Sequence, residues 1–103
     1  MAKKADIGRV RAFLKILEES GVNVQALYLY GSRAKGTHRR DSDIDVAVVS
    51  NDFSGDPIAD IQLLLPALKK ADTAIEAASF RPEDFREEHP LVWEIKRSGI
   101  RIA

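Results

Sequence analysis

Apolar residues recur at helical spacing near the start of the chain: Ile7, Val10, Phe13, Leu14 and Leu17 share one face. The spacing predicts an amphipathic helix over residues 6–20, with Asp6 as its cap and Gly21 as its stop. The period then changes. Residues 24–30 are β-branched and aromatic and read as a strand, which Gly31 breaks. Residues 32–35 read as one helical turn closed by Gly36, and residues 37–41 as polar loop. A second strand is predicted over 43–49, with Ile44, Val46 and Val48 on one face and Asp43, Asp45, Ala47 and Val49 on the other. Apolar residues on both faces mark it as central, covered on both sides.

In the second half, Asp56-Pro57 reads as an N-cap followed by the first helical residue. Ile61, Leu64, Leu65 and Leu68 fall on one helical face, and Pro66 predicts a kink or two short helices. Residues 73–80 read as a third strand. Pro82 opens a short helix to about residue 88, and Pro90 opens another with Leu91, Val92 and Ile95 inward and Gly99 at its end. Residues 100–102 can add a short last strand. The order α-β-α-β-α-β-α-α-β gives a small α+β (mixed α/β) fold, a mixed sheet of three to four strands packed against helices. Residues 1–103 form a single domain with no repeat or linker.

Composition narrows the function classes. Sixteen Lys and Arg balance sixteen Asp and Glu, which argues against a nucleic-acid coat or a polybasic membrane binder. The absence of cysteine excludes a disulfide framework or thiolate metal site. No apolar run is long enough to cross a bilayer and no leader pattern opens the sequence, so the expected location is cytoplasmic. A domain of this size is small for a catalytic centre, a base pocket and an acceptor pocket together, so a partner is expected to complete the site.

The chemistry sits between Gly31 and Asp45. Residues i and i+2 of a strand face the same way, with side-chain origins roughly 6–7 Å apart. Asp43 and Asp45 would repel at that spacing unless a cation sat between them, and hard oxygen ligands suit Mg²⁺ or Mn²⁺. Asp-x-Asp alone is equally an exposed loop end followed by a hydrogen-bonded strand residue. Gly31-Ser32, after a strand and at the start of a helical turn, would let a phosphate approach backbone N–H groups. Alone, that pair is more often an ordinary capped turn. Lys35, His38, Arg39 and Arg40 lie between the two features and could offset phosphate charge, though each singly reads as a solvated loop residue.

Together these residues resemble the nucleotidyltransferase signature of the polymerase-beta superfamily. Gly31-Ser32-Arg33-Ala34-Lys35-Gly36, five further residues and then Ser42-Asp43-Ile44-Asp45 fill every signature position at the family spacing. The layout from the first helix to Arg101 is similar to that of minimal nucleotidyltransferases. The ending, from Phe80-Arg-Pro-Glu-Asp-Phe through Pro90-Leu-Val to Ser98-Gly99-Ile100, is a less specific likeness.

The resemblance implies a third acid on a later strand. Glu76 is the acid of 74–79, flanked on its face by Ala74 and Ala78; many members carry Asp there. It implies that Asp43, Asp45 and Glu76 are catalytic and hold two Mg²⁺ (or Mn²⁺) ions. It implies also that Gly31, Ser32, Lys35, Arg39 and Arg40 bind the nucleotide, ATP. The implied acceptor is a hydroxyl on a HEPN-domain toxin held in a hetero-oligomer, with this chain as antitoxin and no direct nucleic-acid or membrane binding. The other readings are a small-molecule acceptor and an antitoxin that neutralises by contact alone. Trp93 reads as packing and His89 as a surface residue. Tyr28 and Tyr30 sit where strands favour aromatics, and Arg86-Glu87-Glu88 reads as a solvated face.

Overall fold

The computed structural model describes residues 3–37, 39 and 42–103. Its elements follow the expected order: α1 (Lys4–Glu19), β1 (Ala26–Tyr30), α2 (Ser32–Lys35), β2 (Ile44–Val49), α3 (Pro57–Lys70), β3 (Ile75–Phe80), α4 (Pro90–Ser98) and β4 (Ile100–Arg101). The strands form one mixed sheet in the order β3-β2-β1-β4. β2 is therefore internal, antiparallel to β1 and parallel to β3. A parallel neighbour needs a crossover, and α3 supplies it.

The two faces of β2 meet different cover. Ile44, Val46 and Val48 are fully buried with Leu27 and Leu29 of β1, under Val10, Phe13 and Leu17 of α1 and Leu64 and Ala67 of α3. On the other face lie Ala47 and Val49, also buried, on the side of the sheet that carries Tyr28 and Phe80. Phe85 packs there against both rings, at 5.2 Å from Tyr28 and 5.3 Å from Phe80. α4 also packs against β1, burying Val92 and Ile95.

Several expectations change. Asp6 is not the cap of α1: the helix starts at Lys4, and Asp6 lies within its first turn, buried against Arg33. α3 is one helix through Pro66, not two. Pro66 and Gln62, whose carbonyl loses its partner to the ring, are both exposed, so water can replace the missing donor. The inner face of α3 is Asp60, Leu64 and Ala67, whereas Ile61 and Leu65 are 46% and 41% exposed. The buried carboxylate sets this rotation: Asp60 Oδ1 accepts from Ser54 N at 2.7 Å and Ser54 Oγ at 3.0 Å, and Oδ2 accepts from Gly55 N at 3.0 Å.

The helix expected after Pro82 is only a 3-10 turn, Pro82–Asp84. Trp93 is exposed, not packed inward, and the Arg97 guanidinium lies 5.0 Å from its ring centre. His89 is exposed as expected and caps α4, its Nδ1 accepting from Leu91 N at 3.2 Å.

Candidate active site

β1 ends in Tyr30, and the chain turns at Gly31 with φ +73° into the single turn of α2, which Gly36 closes at φ +74°. Both angles lie in the left-handed region that glycine occupies without penalty. At Gly31 space is also decisive, because a Cβ there would stand 2.5 Å from Asp45 Oδ2. The missing side chain lets the phosphate-type turn and the acid strand touch. Gly31 also provides no side-chain cap, so the first turn of α2 opens beside the carboxylate without an internal acceptor from its cap residue.

The strand register brings the third acid to the same place. Asp45 pairs with Tyr30 across the antiparallel ladder and with Glu76 across the parallel one. Directly paired residues point to one face, so Tyr30, Asp45 and Glu76 stand in a row. Asp43 precedes β2 and is exposed, while Asp45 is half-buried and Glu76 is exposed. The Glu76 carboxyl is pushed up, chiefly by a side-chain hydrogen bond with Asp43, then by the charge of Asp43, by burial and by Asp45. Burial and then the charge of Asp43 push Asp45 up.

This is the electrostatic condition that a hard divalent cation relieves, and the all-oxygen donor set fits one. Among the described residues no three His, Cys, Asp or Glu side chains already stand in a metal-holding arrangement.

The basic residues divide. Lys35 Nζ lies 3.4 Å from Glu94 Oε1 of α4, with both side chains about half exposed. Arg39 is exposed, and its backbone N donates to Ser42 Oγ at 2.9 Å. His38 and Arg40 lie outside the described residues.

Three participants were not singled out by the sequence. Tyr30 is half-buried, and its phenol is pushed up by burial and then by Asp45, Glu76 and Glu94, which places all three acids near it. Glu94 comes from α4, too far along the chain for motif spacing to reveal. Arg33 stands at the variable third position of the signature, yet it is buried. A cavity of about 400 Å³ lined by Gly55, Asp60, Phe80, Arg81 and His89 lies at the opposite end of β3 from Glu76.

The parallel strand pair, the Gly-Ser turn and the row of acids define a nucleotidyltransferase-type domain. The nucleotidyltransferase domain family matches residues 10–100, and the chain belongs to it. The protein adenylyltransferase MntA of Shewanella oneidensis is 34% identical over 68 residues, covering 66% of this chain and 48% of that protein. The chain thus spans about half the length of the curated relative it matches.

Among solved structures, a toxin–antitoxin complex with AMP-PNP is similar at TM-score 0.64 and 24% identity, over 94% of this chain and 72% of that one. A nucleotidyltransferase of Sulfolobus solfataricus aligns at TM-score 0.65 and 16% identity, over 92% and 77%. A complex of tri-AMPylated Shewanella oneidensis HEPN toxin with its MNT antitoxin aligns at TM-score 0.61 and 19% identity, over 95% and 71%. These likenesses show the fold. No helix among the described residues is long and apolar enough to cross a membrane.

Proposed function

We propose that the chain transfers a nucleoside monophosphate, AMP from ATP, to a hydroxyl on a HEPN-type toxin and so acts as its antitoxin. The observation that carries this reading is the pairing of Asp45 with Glu76 beside a glycine that only an absent Cβ allows so close. The donor and acceptor are supported by the relatives: a protein adenylyltransferase, a toxin–antitoxin with AMP-PNP, and an AMPylated HEPN toxin with its MNT antitoxin.

Asp43, Asp45 and Glu76 would hold two Mg²⁺ ions, or Mn²⁺ in their place. Such ions, when bound, neutralise phosphate charge and lower the pKa of the acceptor hydroxyl. The chain's own residues supply the positioning. Gly31 lets the triphosphate reach the backbone, Ser32 donates a hydroxyl hydrogen bond to a phosphate oxygen, and Lys35, Arg39 and Arg40 offset charge. The acceptor oxygen bonds to the α-phosphorus as the bond from that phosphorus to the α,β-bridging oxygen breaks. Pyrophosphate leaves, and the acceptor proton departs toward Glu76 and solvent. Catalysis of this kind is mostly alignment and charge neutralisation.

Asp43 and Glu76 are exposed, so the acid end is open to an acceptor brought by another chain. The test combines this chain with a HEPN-type toxin, Mg²⁺ and ATP labelled in its α-phosphate. Label on the toxin, lost with Asp43→Asn/Asp45→Asn, is the expected result. An unlabelled toxin beside an active control overturns the reading. Neutralisation that survives the double substitution would mean an antitoxin acting by contact.

A further inference from the structure

Asp43 lies between two peptide groups that are both held. The carbonyl of Ser42, in the peptide bond leading into Asp43, accepts from Arg33 Nε at 3.0 Å and from Arg33 Nη2 at 2.7 Å. On the other side, the N–H of Ile44 donates to the carbonyl of Ala74 at 2.8 Å.

These anchors are joined through α1. Arg33 Nη1 donates to Asp6 Oδ1 at 2.9 Å, and Arg9 Nη1 approaches the same oxygen at 3.5 Å. Arg9 Nε donates to Asp72 Oδ2 at 2.6 Å, and Asp72 Oδ1 accepts from Ala74 N at 2.9 Å. The contacts therefore leave Ser42, cross α1 and return at Ala74, two residues before Glu76.

Resting on the nucleotidyl-transfer reading above, we propose that Arg33, Asp6, Arg9 and Asp72 form a positioning ring that fixes Asp43 relative to Gly31 and Glu76. None of them touches the reacting atoms. The case against a merely stabilising role is energetic. Asp6 and Arg33 are 2% and 6% exposed, and a buried ion pair adds little stability over apolar residues of similar size. A guanidinium supplies direction instead: three nitrogens in a rigid plane engage a backbone carbonyl and a carboxylate at once. A packed leucine would bury α1 equally well but could not hold the Ser42–Asp43 peptide.

The link is also made at its exposed end. The hydrogen bond from Arg9 and the N–H of Ala74 hold the Asp72 carboxyl down at about 2.

The test uses the full chain and Mn²⁺ as probe, with free Mn²⁺ read by electron paramagnetic resonance and folding by thermal melting. Wild type is expected to bind Mn²⁺ saturably and Asp43→Asn to lose it. Arg33→Lys keeps the charge facing Asp6 but cannot grip Ser42, and is expected to bind about tenfold more weakly, as is usual for groups that orient metal ligands. Asp72→Ala cuts the ring at an exposed loop where solvent screens the pair with Arg9, so it should stay folded and melt within a few degrees of wild type yet bind several-fold more weakly.

Affinity that falls while melting stays put separates positioning from stability. A folded Asp72→Ala chain with wild-type affinity overturns the ring and leaves the acid site standing; that variant decides alone if Arg33→Lys does not fold. If wild type does not bind Mn²⁺, or Asp43→Asn binds it equally well, the acid-site reading falls and the ring with it.

Discussion

Gly31 and Asp45 are in contact across the turn from β1 to α2: a Cβ at position 31 would lie 2.5 Å from Asp45 Oδ2, and Gly31 already sits at φ +73°. One missing carbon atom therefore serves both a backbone conformation and a carboxylate position. Gly31→Ala should cost about 1–3 kcal/mol of stability from the left-handed backbone. It should also push Asp45 aside, lowering nucleotidyl transfer about 100-fold or more, as ångström-scale misplacement does. Chemical denaturation and transfer assays on the same preparation check both effects.

Asp45→Asn should separate stability from activity. Asp45 is held above its ordinary range by burial and by Asp43, so its ionised form is disfavoured in the fold. Without metal, the amide should melt higher than wild type at neutral pH. The rise should be less than about 4 °C, because solvent screens this half-exposed group. Transfer should fall at least about 100-fold. Melting in EDTA and a labelled-ATP assay provide the two readings, and a lower melting point would contradict the repulsion described.

The same repulsion fixes a pH dependence. Asp45 and Glu76 are both raised. Their favourable contribution is complete below the unfolded-chain values, about 4, and is lost as pH rises through the higher folded values. Mg²⁺ should therefore raise the melting temperature more at neutral pH than near pH 3, below the unfolded-chain values of Asp45 and Glu76. A Mg²⁺-induced shift of equal size at both pH values would contradict this.

The rotation of α3 can be checked by truncating two neighbouring residues. Leu64 is 1% exposed and Ile61 is 46% exposed. Leu64→Ala should cost about 2–5 kcal/mol, and Ile61→Ala less than about 1 kcal/mol. Similar losses in urea denaturation would restore the face that the sequence alone suggested.

The elements around the site were legible because their signals are local. Gly31 and Gly36 bracket one helical turn, and apolar residues on both faces of Ile44–Val49 mark a central strand. The expected inner face of α3, Ile61, Leu64, Leu65 and Leu68, rests on apolar spacing alone and leaves out the buried Asp60. Nothing in sequence spacing shows that two backbone N–H groups and a hydroxyl converge on it. Asp6 was misplaced for the same reason: an acid near a helix start looks like a cap until its distant partner, Arg33, is seen. Glu76 was reached by family analogy and strand alternation, whereas its pairing with Asp45 depends on the register of two strands joined through α3. Tyr30 is legible as a strand aromatic, but its place beside Asp45 depends on the β1–β2 register, and Glu94 depends on the docking of α4.

That register makes the acid cluster an all-or-none product of folding. Parallel pairing of β2 with β3 sets Asp45 against Glu76, and side chains alternate faces along a strand. A slip of one residue would turn Glu76 away and bring Ile75 or Ala77 to the row of acids. A slip of two would put Ala74 or Ala78 in its place. While the chain is being synthesised, Asp43 and Asp45 emerge well before their third member, and no alternative alignment of β3 can supply a substitute. The chain therefore has a built-in proof of correct assembly: the row closes only when β3 is paired with β2 in the right register.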